Sequence, residues 1–153
     1  MVNWLLMQDA VHLYCIDGNN LVRGAYGYGG PEFRAQEDAD AQRLLKALER
    51  TCLLLGSRID IEVFFDGPFR AHLQARAQNL SVRFTREMKA DDVIIDRVRA
   101  RAYAGTNKVT VVTADADLGA RVRADGGRWQ KVPHGVALES VISGIEGRFA
   151  RRS

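Results

Sequence analysis

Six aspartates fall in four short motifs: Ile16-Asp17-Gly18-Asn19-Asn20-Leu21, Phe65-Asp66-Gly67, Ala90-Asp91-Asp92-Val93-Ile94 and Thr113-Ala114-Asp115-Ala116-Asp117-Leu118. Each motif follows a β-branched or apolar run, or opens an amphipathic one. A single acid at such a place usually caps the following helix or sits in its first turn, where the helix dipole favours it. Several acids at one place are different, because they repel each other and lose hydration. A hard divalent cation offsets both costs, and Mg²⁺ takes oxygen ligands while keeping several waters. Such a centre hydrolyses phosphodiesters by acidifying a water and neutralising the charge that develops. No Ser-His-Asp or Cys-His arrangement competes for the role. His12, His72 and His134 are isolated and read as structural or solvated.

Whether the acids meet depends on the elements that carry them. Val11 to Ile16, Ile59 to Phe65, Leu80 to Phe84, Lys108 to Thr113 and Trp129 to Val132 read as strands. The sequence predicts helices over 36–55, 71–78, 90–103 and 118–124, and a last one from about Leu138. Ile95, Val98 and Ala102 form the apolar face of the third, and Gly24 to Pro31 reads as a loose loop. Alternating strands and helices argue for an α/β fold, a parallel sheet covered on both faces. Right-handed crossovers leave few topologies, and the order 3-2-1-4-5 is expected. In such a sheet the ends of strands one, two and four share one edge with the start of the helix after strand three. Asp17, Asp66, Asp91 and Asp115 then converge, with Asp91 pointing inward and Asp92 on the flank. Four segments delivering acids to one rim favour a metal site over scattered caps.

The chain has 153 residues, 46% hydrophobic and 27% charged, as expected of one soluble domain. The expected division is an N-terminal extension over 1–10, a domain over 11–147 and a basic tail over 148–153. Met1 to Ala10 lacks the basic lead-in and long apolar core of a signal peptide, and no stretch is long enough to span a membrane. Cys15 and Cys52 sit within apolar runs in no metal or disulfide spacing, which suits reduced thiols in a cytoplasm. Net charge is only +3, yet 18 of the 22 cations are arginines, the better fork for phosphate oxygens.

The four motifs, in this order and with helices between them, resemble those of PIN-like NYN-domain nucleases, most of all the YacP-like branch. The resemblance spans roughly Val11 to Val132. It implies a PIN-like three-layer sandwich and a Mg²⁺- or Mn²⁺-dependent phosphodiesterase, an endoribonuclease. By the same resemblance Asp17, Asp91, Asp115 and Asp117 match the metal-centre acids, and Asn20, Asp66, Asp92 and Thr113 match supporting positions. RNA in unpaired segments is the implied partner, ribosome-associated RNA included, with no membrane and no small-molecule cofactor. Arg23, Arg70, Arg86 and Lys89 lie just beyond the strand ends and are expected to grip phosphates. Tyr26, Tyr28 and Phe69 offer faces on which unpaired bases could stack, the alternative for the tyrosines being a loop that packs on itself. Arg97, Arg99 and Arg101 read as a solvated helix face; Arg148, Arg151 and Arg152 touch phosphates or form a tail. A flap-type 5′ nuclease acting on DNA has a similar opening, but no space remains for its helix-hairpin-helix. A haloacid-dehalogenase-like phosphatase needs an acid where Asn19 stands. A catalytically silent RNA-binding or protein-interaction module on the same fold would have been free to lose these acids.

Overall fold

A strand buried along its whole length, β1 (His12–Asp17), forms the middle of the molecule. The computed structural model describes residues 11–26, 34–106, 108–133 and 135–150, and side chains within these except 24–26. The expected extension over 1–10, Tyr28, His134, Arg151 and Arg152 lie outside them. β1 pairs in parallel with β2 (Ile59–Phe65) on one side and with β4 (Val109–Thr113) on the other. β3 (Leu80–Phe84) and β5 (Arg128–Lys131) are the parallel edges, so the sheet runs β3-β2-β1-β4-β5, as the sequence predicts.

Because successive strand residues face opposite ways, β1 serves two cores. Tyr14 and Ile16 pack beneath α1 (Gly18–Tyr26), α2 (Arg34–Leu55) and α5 (Leu138–Ala150). Leu13 and Cys15 pack beneath α3 (Ala90–Tyr103) and α4 (Ala116–Ala124). The result is three layers, helix on sheet on helix.

Five expectations need correction. Gly24 to Tyr26, the start of the expected loop, belong to a helix over Gly18–Tyr26, because buried Leu21 and Val22 outweigh the poor helix propensity of glycine and asparagine, and the rest of that loop lies outside the described residues. No helix forms over 71–78. There Arg76 N–H donates to Glu49 Oε1, Leu73 N–H donates to the Arg70 carbonyl, and only Leu73 is buried. Eight residues with one buried anchor do not sustain a helix. The buried face of α3 is Ala90, Ile94, Ile95 and Val98, whereas Ala102 is exposed. The arginines of α3 are engaged rather than simply solvated. Arg97 pairs with buried Glu62, Arg99 pairs with Asp125, and Arg101 donates to the Val11 and Lys108 carbonyls. Finally, α5 takes in Arg148 and Phe149, and the Phe149 ring lies near His12 and Tyr14.

Candidate active site

Asp17 is the last residue of the central strand and is only 5% exposed. The chain turns directly into α1 because residue 18 is glycine. A Cβ there would stand 2.6 Å from the Phe65 ring and 2.9 Å from the Phe64 carbonyl oxygen. Beside Asp17, Thr113 ends β4 and donates its hydroxyl to Asp17 Oδ2 at 3.0 Å. That hydroxyl accepts from the Asp115 N–H at 3.1 Å. Asn20, in the first turn of α1, fixes the same loop from the other side. Its Oδ1 accepts the Ala114 N–H at 2.8 Å and lies 3.2 Å from Thr113 Oγ1.

Asp66, just past β2, joins a third segment to the rim. Its N–H donates to Asn19 Oδ1 at 2.6 Å, and its Oδ1 accepts the Ala90 N–H at 3.1 Å. The residue at the N-cap of α3, Lys89, makes no side-chain cap of its own. Asp66 therefore caps α3 from a distance, which sets the position of Asp91. Asp115 caps α4, its Oδ1 accepting from Asp117 and Leu118 N–H at 2.9 and 3.1 Å. Capping and convergence are thus both true of Asp115. Arg121 of α4 reaches back to Asp92 Oδ1 at 3.1 Å and ties α4 to α3.

The electrostatics register the convergence. Burial pushes the Asp17 carboxyl up to about 7 from an ordinary 3.8; the Thr113 hydrogen bond opposes this, while Asp91, Asp66 and Asp115 add to it. Asp91 is also raised, first by burial and then by Asp115, with Arg121 pulling the other way and Asp66 and Asp92 adding to the rise. Asp17, Asp66, Asp91 and Asp115 therefore share one field. Asp117 is exposed in the first turn of α4 and is not among the charges acting on Asp17 or Asp91. Among the described residues no three His, Cys, Asp or Glu side chains form a ready-made metal cage. Both cysteines are free and buried, with thiols pushed up to about 12 by burial, so neither supplies a thiolate.

The four grip cations divide into two pairs. Arg23 is bridged to Glu37, and Arg70 to Asp38, with the Arg70 guanidinium also over the Phe65 and Phe84 rings. Arg70 therefore serves the fold. Arg86 and Lys89 are exposed and take part in no ion pair among the described residues. His72 pairs with Asp38, and His12 Nε2 lies 2.7 Å from Thr110 Oγ1, so both are structural. Sequence reasoning missed Asn19 and Arg121. Arg121 carried one faint signal, standing four residues after Asp117 on a helix. A groove of about 560 Å³ between β5 and α5 has no carboxylate or histidine among the described residues of its lining.

A family model described as the YacP-like NYN domain matches residues 14–133, a span containing all four acid motifs. No curated protein matches the sequence. Two solved structures of Rae1 (YacP) from Bacillus subtilis share the fold. One, of a single-residue variant, is 21% identical with a TM-score of 0.62, over 92% of this chain and 80% of that one. The other is 21% identical with a TM-score of 0.55, over 92% and 78%. With its sheet order, its acid rim and a family match over most of its length, the chain belongs to the YacP-like NYN domain family.

Proposed function

We propose that this protein is a Mg²⁺- or Mn²⁺-dependent ribonuclease that hydrolyses phosphodiester bonds in unpaired RNA. The observation that carries the reading is buried Asp17, held by Thr113, with its carboxyl pushed up to about 7 among three further acids. An anion excess at the end of a central strand calls for a cation, and an all-oxygen donor set suits a hard one. Mg²⁺ takes oxygen ligands and keeps several of its waters, so the carboxylates of the rim need not close a complete cage around it. Asp17, Asp91 and Asp115 would hold it, and exposed Asp117 would hold a metal-bound water or a second ion. When bound, the cation supplies an activated water and neutralises charge on the phosphate in transition.

The chain's own residues do the rest. Asp17 uses Oδ2 for the Thr113 hydroxyl, so its carboxylate is held in one orientation and would present its other oxygen to a cation. Asn20 fixes the Thr113–Ala114 corner so that this hydroxyl keeps its direction. Asp66 holds α3, and with it Asp91, against the rim. The nuclease-type fold of the family supports this reading. Unpaired RNA is favoured over duplex DNA because the cations and Phe69 beside the rim suit separate bases better than a groove.

A labelled single-stranded RNA incubated with the purified chain tests the proposal. Cleavage is expected in millimolar Mg²⁺ or Mn²⁺, none in EDTA, and a loss of at least a hundred-fold with Asp17→Asn. A folded Asp17→Asn protein that cuts at the normal rate would place the chemistry elsewhere. Faster cutting of double-stranded DNA under matched salt would favour the flap-nuclease alternative.

A further inference from the structure

Arg86 and Lys89, the two rim cations that form no ion pair among the described residues, belong to one short loop between β3 and α3. That loop is locked to the one following β2. Arg86 forms an isolated antiparallel bridge with Gly67, its N–H donating to the Gly67 carbonyl at 2.9 Å, and Thr85 N–H donates to the Phe65 carbonyl at 3.0 Å. Arg86 is the one non-glycine among the described residues with positive φ, at 59°. A left-handed backbone is costly for a residue with a Cβ, and glycine would remove the cost at this turn. The loop nevertheless carries a guanidinium there.

Phe69, two residues after the bridged Gly67, is 64% exposed, and Met88, in the same loop as Arg86, is 53% exposed. Phe69 packs edge-to-face on Phe84 with centroids 5.5 Å apart, and Phe84 stacks on buried Phe65. The ring is therefore braced and yet open to solvent. Asp66 precedes the bridged glycine, and Lys89 precedes the helix that carries Asp91, so the ledge is continuous with the acid rim.

We infer that Phe69, Arg86, Met88 and Lys89 form a nucleotide subsite: an unpaired base stacks on Phe69 while Arg86 and Lys89 take its flanking phosphates. The inference rests on the nuclease reading above and adds to it the side of the acids, the β2–β3 side, from which the strand approaches. Stacking on a π-face makes the subsite tolerant of base identity. Free cations beside an exposed ring favour a polyanion over an apolar protein partner.

Anisotropy of a labelled octauridylate tests this, in millimolar Mn²⁺ and on the Asp17→Asn background so that the strand survives. Phe69→Ala should weaken binding about ten-fold or more, and Phe69→Trp should bind at least as tightly as the parent. Phe69→Ala should make no difference on the same octamer without bases. Arg86→Ala should flatten the plot of log affinity against log salt by about 0.7, one phosphate on a single strand, whereas Phe69→Ala leaves it unchanged. Parent-like binding by both variants, with the wild type cutting the same strand, overturns the ledge and leaves the nuclease reading standing. Loss of binding by both, with a wild type that never cuts, keeps the ledge and removes the nuclease reading. A parent that does not bind the octamer overturns both.

Discussion

Asp17 is the residue on which the pH behaviour of the cation-free protein turns. Its folded carboxyl titrates near 7, above the ordinary 3.8, so the folded state binds the proton more tightly than the unfolded one. Stability from this group is therefore fully present below about pH 4 and is lost as pH rises through about 7. In EDTA, the wild type should become less stable between pH 5 and pH 8 relative to Asp17→Asn. Asn carries no titrating charge and still accepts the Thr113 hydroxyl, so at pH 8 it should be the more stable by on the order of 2 kcal/mol. Parallel urea titrations at the two pH values measure the difference, and parallel pH profiles would show that Asp17 is not strained by its surroundings. At this scale much was legible from type and position alone. Asp17, Asp66, Asp91 and Asp115 were readable because each ends a strand or starts a helix. The ion pair of Arg70 was not legible because its partner, Asp38, lies on α2, and no local pattern links the two.

At the scale of elements, the rim depends on how α4 meets β5. Gly119 is buried in α4, and a Cβ there would stand 2.2 Å from the ring of Trp129. The indole lies flat enough against the helix for its Nε1–H to reach the Thr113 carbonyl at 3.0 Å. Gly119→Ala should therefore destabilise the protein by about 1–3 kcal/mol through overpacking, although alanine is the better helix former. A chemical-denaturation curve decides it, and a stabilised variant would show that the ring moves freely. The strands were readable because β-branched runs between turn residues have few alternatives. Two elements were not. The start of α1 is made of Gly18, Asn19 and Asn20, and only burial of Leu21 and Val22 makes it helical. Residues 71–78 carry helix-forming alanine and glutamine, yet their polar groups are claimed by α2, through Glu49 and Gln42.

For the molecule as a whole, the acid rim is a concentration of like charge with no closed cage around it. Such a site is destabilising until a cation arrives, and binding to the folded state alone raises stability by mass action. Millimolar Mn²⁺ should raise the melting temperature by a few degrees above its value in EDTA. The gain should shrink in Asp17→Asn, which has lost a ligand and a repulsive charge together. A melting temperature indifferent to Mn²⁺ would remove the cation from the proposal. The strand order was legible because crossover rules leave few arrangements for five alternating units. The side of the rim where the free cations lie was not, since that depends on which arginines find acids elsewhere in the fold.

The bond from Trp129 to the Thr113 carbonyl also has an optical consequence. Trp4 and Trp129 are the two tryptophans of the chain. Trp129 is hydrogen-bonded to the residue whose hydroxyl holds Asp17, so its emission can report on the rim from within. In a Trp4→Phe protein the fluorophore is single, and no label need be attached near the acids. Titrating Mn²⁺ into that protein should shift or quench its emission along one saturating curve. The same titration on Trp4→Phe with Thr113→Val, which removes the hydroxyl but not the carbonyl, should give a weaker response.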